Sequence, residues 1–186
     1  MPRFVVLALP TFIIALLQCF ACAPLPMQSR TATRADAGRA ALSPTDAELV
    51  AIARAVVQRA NAVRAEVNAP ALREVPALTS AAQAYALELA ARQRLEHTSP
   101  TPGRKTMTDR IEAAGASWQR AAENLASTSD VMGDVPRAVI ELWLTSAGHR
   151  RSLLDSGYTT TGVGVARDAR GFWYVVQLYV LPPGRR

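Results

Sequence analysis

Apolar residues recur along this chain at two periods, and the change from one to the other divides it. From residue 43 the order Ser43-Pro44-Thr45-Asp46 reads as a helix start, with Ser at the cap, Pro in the first turn and acids following. Leu49, Ile52, Val56, Ala60 and Val63 then repeat at helical spacing. After a loop holding Pro70 and Pro76, a second helix is predicted over residues 77 to about 94, with Leu78, Ala82, Tyr85 and Leu89 on one face. The run Ser99-Pro100-Thr101-Pro102-Gly103 forces a turn just after His97. Thr106 or Thr108 caps a short helix through Arg110, Ile111 and Ala114, closed by Gly115. Residues 118–126 read as extended or irregular. Pro136 opens a further helix with Val139, Trp143 and Ser146 on a common face. Gly148 breaks it, and residues 150–154 form one more turn. Glu141, two residues from both Val139 and Trp143, turns away from that face toward solvent. Residues 161–166 and 172–180 are rich in Val, Tyr and Trp and predict two strands joined by a hairpin loop at 168–171. Gly162 and Gly164, inside a strand, imply close approach of another backbone. Helices followed by strands predict an α+β fold, with helices packed on a small antiparallel sheet.

The first 42 residues follow neither period. Arg3 precedes an apolar run at 4–17, interrupted by Pro10 and Thr11, which is the length of a signal-peptide core and short for a membrane span. Cys22 follows Ala21, the small residue that a lipoprotein cleavage site requires, whereas Cys19 and Phe20 fit that pattern less well. Two readings stand: lipid attachment at Cys22, or ordinary secretory cleavage. Residues 1–22 are therefore expected to be a signal segment of lipoprotein type. Residues 23–42, rich in Ala, Arg, Thr and Ser, are expected to be a flexible linker, and 43–182 the folded domain. Both cysteines lie in the leader, so no disulfide is expected in the domain, which suits export from a bacterium. Membrane association is expected through the lipid anchor alone.

Composition narrows the picture further. Of 186 residues, 49% are hydrophobic, and a domain of about 140 residues buries roughly two thirds of its unfolded surface without needing a staple. The net charge of +6 is carried by arginine, Lys105 being the one lysine. These charges are dispersed along the chain, without a basic run interleaved with aromatics or a recognition helix, so nucleic-acid binding is not expected. A dispersed basic surface suits weak attraction to anionic envelope polymers or lipid headgroups.

Five segments in order carry a resemblance. They are Leu95-Glu96-His97-Thr98-Ser99-Pro100, Asp109-Arg110-Ile111-Glu112-Ala113-Ala114-Gly115, Ala122-Glu123-Asn124-Leu125-Ala126, the stretch Ala138-Val139-Ile140-Glu141-Leu142-Trp143-Leu144-Thr145-Ser146-Ala147-Gly148-His149-Arg150, and Thr161-Gly162-Val163-Gly164-Val165-Ala166. Together with the closing Trp173-Tyr174-Val175-Val176-Gln177, they resemble the bacterial branch of the CAP superfamily, the cysteine-rich secretory, antigen 5 and pathogenesis-related proteins. That branch is often called SCP-like or YkwD-like. The resemblance implies a three-layer α-β-α sandwich and a cleft lined by two His and two Glu. His97, Glu123 and His149 resemble three of the four, and Ser146 stands where the second Glu usually lies. Asn124 and Ser146 are further candidates for the cleft.

These residues admit several chemistries. Two imidazoles and a carboxylate form a plausible Zn²⁺ set with an open position for water. Glu123 either acts directly as a base or ligand, or orients His97 and fixes its tautomer. The two histidines can equally serve to hold loops by hydrogen bonds. A Ser-His-Glu hydrolase through Ser146 lacks a nucleophile elbow. The first functional expectation is an exported, monomeric binding or scaffold domain that recognises a small lipid, a peptide or an envelope polymer. The alternatives are a metal-dependent or His/Glu-driven hydrolase acting on peptides, and a purely structural envelope module.

Overall fold

A computed structural model describes residues 45–129 and 133–184 of the chain. The expected signal segment, the lipidation candidate Cys22, the linker at 23–42 and the Ser43-Pro44 pair all lie outside the described residues.

Helix α1 (Asp46–Glu66) starts at Thr45, whose Oγ1 accepts the Glu48 N–H at 3.2 Å. Thr45, and not Ser43, is thus the cap, since it satisfies a donor of the first turn directly. A two-residue strand β1 (Arg73–Glu74) leads into helix α2 (Pro76–Arg92), and Gln93 closes that helix in the left-handed conformation at φ 52°. Helix α3 (Met107–Ala113) is held by a reciprocal capping box: Thr106 accepts from the Asp109 N–H while the Asp109 side chain accepts from the Thr106 N–H. Gly115, at φ +78°, ends the turn that follows. Strand β2 (Arg120–Thr128) is regular over nine residues, where the sequence suggested extended or irregular chain. Helices α4 (Val135–Thr145) and α5 (Ala147–Leu154) meet at Ser146, an extended residue with φ −96° and ψ 121°. The break expected at Gly148 therefore falls two residues earlier, and Gly148 lies within α5. Strands β3 (Thr160–Arg167) and β4 (Trp173–Leu181) complete the chain as the expected hairpin.

The sheet order is β1-β3-β4-β2. β4 pairs antiparallel with both β3 and β2, whereas β1 pairs parallel with β3. The sheet is thus mixed and not wholly antiparallel. Side chains alternate across it. Val163, Val165, Val175 and Tyr179 pack with Val56, Ala60, Val139, Trp143 and Leu153 from α1, α4 and α5. Leu125, Val176 and Leu178 pack with Leu78, Ala82, Tyr85, Leu89 and Ile111 from α2 and α3. The result is the expected α-β-α sandwich. Each such side chain, moved from water into a close-packed layer, contributes on the order of 1.5–3 kcal/mol.

Two glycines set how closely the second layer approaches. A Cβ on Gly162 would lie 2.2 Å from the Leu78 carbonyl carbon, and one on Gly164 would lie 2.2 Å from that of Ala82. Helix α2 therefore rests its backbone on β3. β1 is too short to cover the rest of that strand. Gln83 reaches across instead, its Nε2 donating to Val165 O at 2.9 Å and its Oε1 accepting from Val165 N at 3.0 Å. A side-chain amide thus satisfies the edge that a longer strand would otherwise pair.

Candidate functional site

The site is built on β2, an edge strand of the sheet. Because strand side chains alternate, Glu123 and Asn124 leave opposite faces of it. Glu123 shares its face with Leu125, toward α2 and α3; Asn124 shares the other with Ala126, toward α4 and α5. The adjacent pair therefore reaches two separate segments of chain, and each carries a histidine.

His97 lies on the connection between α2 and α3, which is held from beneath. Tyr85 Oη donates to Glu96 O at 2.5 Å. Glu88 Oε2 accepts from Ser99 Oγ at 2.9 Å and from Thr101 Oγ1 at 3.1 Å. Ser99 N–H donates to Lys105 O at 2.9 Å, closing the turn. Arg110, on α3, donates through its terminal nitrogens to the carbonyls of His97, Arg104 and Lys105 at 3.3–3.4 Å. Its guanidinium lies 3.5 Å from the centre of the Tyr85 ring. Burial pushes the Tyr85 phenol up to about 12, with Arg110 pulling in the opposite direction. These contacts fix the backbone that presents His97, whose side chain is 58% exposed.

Both oxygens of Glu123 are committed. Oε1 lies 2.9 Å from His97 Nδ1 and Oε2 lies 2.6 Å from an Arg110 terminal nitrogen. The Glu123 side chain is 2% exposed and that of Arg110 is 4% exposed. Arginine keeps its proton in proteins, so the buried partner across from it is a carboxylate, which only accepts hydrogen bonds. Nδ1 of His97 must therefore carry a hydrogen, and in the neutral ring Nε2 then keeps its lone pair, directed away from the carboxylate. Of the two roles open to Glu123, this geometry is the one an orienting group would have.

His149 is the third residue of α5. Its carbonyl accepts from Asn124 Nδ2 at 3.0 Å, and the same amide donates to Tyr179 Oη at 3.2 Å. Tyr179 Oη donates in turn to Gln177 Oε1 at 2.9 Å, so a buried polar chain ties α5 to the sheet. Asn124 is fully buried, at 0% exposure. Its place in the strand turns it into the α4–α5 layer, where it supports the His149 backbone; a side chain this buried lines no open surface. Ser146 makes no side-chain cap bond and stands at the helix junction, where its carbonyl accepts from Arg150 N–H at 2.8 Å. Glu141 points outward as expected and pairs with Arg137 at 3.2 Å. Trp143 and Trp173 are core residues, and Trp143 Nε1 donates to Leu125 O at 3.0 Å.

The His149 pKa lies below its ordinary value, first because burial disfavours the cation and then because His97 is close enough to repel it. The folded-state value is thus below that of the unfolded chain, and protonation favours unfolding. The stability held by neutral His149 is present above the unfolded value, about 6.5, and lost as pH falls through the folded one. Melting temperature should fall between about pH 7 and pH 5, and His149→Gln should flatten that part of the profile when the two are compared by circular dichroism.

A three-ligand metal set does not fit this arrangement. With Glu123 held between His97 Nδ1 and Arg110, its oxygens face fixed partners, and a cation placed there would meet a guanidinium. Ser146 supplies no carboxylate in compensation. Among the described residues no three His, Cys, Asp or Glu are gathered so as to hold a metal ion. In the sequence Glu88 has no reading, Tyr85 is only a position on the apolar face of the second helix, and Arg110 is marked only by its place in the Asp109–Gly115 segment that carries the family resemblance.

Comparison with known proteins agrees with this architecture. The family profile described as CAP, cysteine-rich secretory protein family, matches residues 57–179. The uncharacterised protein YkwD of Bacillus subtilis is 30% identical over 109 residues, which is 59% of this chain and 40% of that protein. The uncharacterised membrane protein YlbC of the same organism is 47% identical over 62 residues, covering 33% of this chain and 17% of its own. The chain thus matches less than half the length of either curated relative. Among solved structures, an extracellular protein containing an SCP domain from Bacillus anthracis has a TM-score of 0.64 at 24% identity, over 75% of this chain and 45% of its own. An outer surface protein of Borrelia burgdorferi has a TM-score of 0.64 at 20% identity, over 76% of this chain and 100% of its own. At these identities the structural likeness shows the fold alone.

Proposed function

Because the chain belongs to the CAP, or cysteine-rich secretory protein, family, we propose that it is an extracytoplasmic binding domain in which His97 Nε2 and the His149 ring receive a polar group of a peptide or envelope ligand. The observation that supports this reading is the commitment of both Glu123 oxygens. A carboxylate held by His97 and Arg110 orients an imidazole; it is not a free base or a metal ligand. His97 then offers one fixed acceptor on an exposed ring, backed by a rigid connection, which suits recognition of a donor group. The extracellular and outer-surface character of the structural neighbours supports placement outside the cytoplasm. No helix among the described residues is long and apolar enough to cross a membrane. Attachment through lipid at Cys22 is part of this proposal and rests on the Ala21-Cys22 pair in the sequence. A monomer suffices for this role, and nucleic acid has no part in it.

The test is co-sedimentation with purified peptidoglycan sacculi, alongside vesicles of phosphatidylglycerol and phosphatidylethanolamine, for the wild type and the His97→Ala/His149→Ala double variant. Sacculus retention by the wild type should weaken at least about tenfold in the double variant, a loss of roughly 1.4 kcal/mol. Equal retention would contradict a role for the histidines.

The hydrolase reading keeps one observation in its favour. An imidazole whose Nδ1–H is held by a carboxylate has the disposition of a general base at Nε2. It predicts turnover of a fluorogenic peptide library that disappears in His97→Ala.

A further inference from the structure

Helices α2 and α3 border a half-open pocket of about 160 Å³, lined in part by Arg110, to which neither histidine contributes. Its lining includes Ala81, Ala84, Ala114, Tyr85, Arg110 and Arg104. Alanine methyls give it apolar sides, and the buried Tyr85 and Arg110 bring an aromatic ring and a guanidinium to it. A cavity of nearly this size lined by apolar side chains is large enough to take a benzene molecule.

The charge around this pocket is unevenly matched. Glu88, which also borders it, is already engaged by Arg92, Ser99 and Thr101. Arg110 spends its terminal nitrogens on Glu123 and on three carbonyls, while its Nε–H donates to no group among the described residues. The Arg104 side chain is exposed and has no ion pair or hydrogen bond among the described residues. Arg104, an unmatched cation, and Arg110, with one guanidinium N–H unused, therefore border a pocket whose sides are mostly alanine, with Ser80 and Glu88 at its polar part. That combination favours an anion with a small hydrophobic body, since the guanidinium fork matches a carboxylate and the methyl walls match a ring or a short chain.

We propose that this pocket is a second binding site, separate from the histidines, for a small monocarboxylate with a body the size of one aromatic ring. Arg104 and the Arg110 Nε–H hold the carboxylate, and the Ala81, Ala84 and Ala114 methyls surround the body. The site stands independently of the envelope-binding reading, because neither His97 nor His149 contributes to it.

The test follows alanine methyl signals by NMR while benzoate is titrated into the protein, with benzyl alcohol as the uncharged probe of the same shape. Benzoate should give saturable shifts of the Ala84 and Ala114 methyls, with a dissociation constant on the order of 1 mM. Benzyl alcohol should bind at least about tenfold more weakly, as should benzoate to Arg104→Gln, an exposed change that breaks no contact. Ala113→Leu, at an exposed position on α3 that also borders the pocket, should abolish the shifts. Ala84→Leu, exposed on α2 and favourable to helix, should bring the same loss of binding, read from Ala114. The melting temperature of each variant establishes that it is folded. His97→Ala/His149→Ala should bind benzoate as the wild type does, so failure at the histidine site leaves this result intact. Absence of saturable shifts, equal affinity for the alcohol, or undiminished binding in Arg104→Gln or in the folded leucine variants would overturn the proposal.

Discussion

Arg64→Met will cost about 4 kcal/mol of stability and loosen the helix that carries His149. Arg64 is 0% exposed. Its guanidinium donates to Pro70 O at 2.9 Å, Leu153 O at 2.8 Å, Asp155 O at 2.9 Å and Tyr158 O at 3.1 Å. One side chain thus satisfies four carbonyls, which lie after α1, in the last turn of α5 and in the connection to β3. Burial lowers the Arg64 pKa from its ordinary value, and the neighbouring Tyr179 and Asp155 act against that shift. Methionine fills much of the volume but leaves the carbonyls of Pro70, Leu153 and Tyr158 without this donor, whereas Asp155 O keeps the Tyr158 N–H at 3.3 Å. Each buried orphan costs on the order of 1–3 kcal/mol, less where water can enter. Arg64→Lys should recover only part of the loss, since an ammonium has three donors and no planar fork. Chemical denaturation of the three proteins checks the order wild type, Lys, Met. Because Leu153 and Asp155 end α5, the His149 ring signals should broaden or shift in the Met variant even at temperatures where it is folded.

Gly164→Ala is expected to destabilise the domain by at least about 3 kcal/mol, with a fall in melting temperature of roughly 10 °C. The added methyl would lie 2.2 Å from Ala82 C, 2.3 Å from Ala82 O and 2.3 Å from Gln83 N. All three are backbone atoms of a helix, so no rotamer change relieves the contact. Helix α2 has to lift off β3, and lifting it breaks the paired hydrogen bonds between Gln83 and Val165. Gly148→Ala provides the contrast. Nothing lies within 4 Å of a Cβ there, the residue sits inside α5, and the change should be neutral or stabilise by up to about 1 kcal/mol. Thermal unfolding of both variants separates a glycine required by packing from one that is merely tolerated.

The contrast between those glycines also marks how far the sequence could be read. Gly162 and Gly164 stand inside an otherwise β-branched run, so close approach of a backbone followed from the pattern. Gly148 looked like a helix breaker, yet the break falls at Ser146, because the junction is set by how α4 and α5 pack and not by local propensity. Helix α2 was legible because Leu78, Tyr85 and Leu89 recur behind a proline. Strand β2 was not, because Arg120-Ala121-Ala122-Glu123-Asn124 has little β preference; it is a strand through its nine-residue pairing with β4. β1 is two residues long and exists only through its parallel pairing with β3. Within the site, family resemblance brought His97, Glu123 and His149 together, although spacing alone could not place residues 26 apart in contact. A buried arginine has the same letter as an exposed one, so the parts played by Arg110 and Arg64 awaited the fold. Asn124 became a support once β2 was known to be a strand, because alternation then put it on the face opposite Glu123.

Whether Glu123 orients His97 is read most directly from the tautomer of that histidine. Nitrogen-15 NMR of the protein labelled at histidine, recorded at a pH where the imidazole is neutral, distinguishes protonated from unprotonated ring nitrogens. In the wild type His97 should be protonated at Nδ1 and unprotonated at Nε2, with that preference weakened in Glu123→Gln, where the partner is no longer a pure acceptor. A wild-type His97 protonated at Nε2, or a tautomer indifferent to the Glu123 substitution, would contradict an orienting role for Glu123.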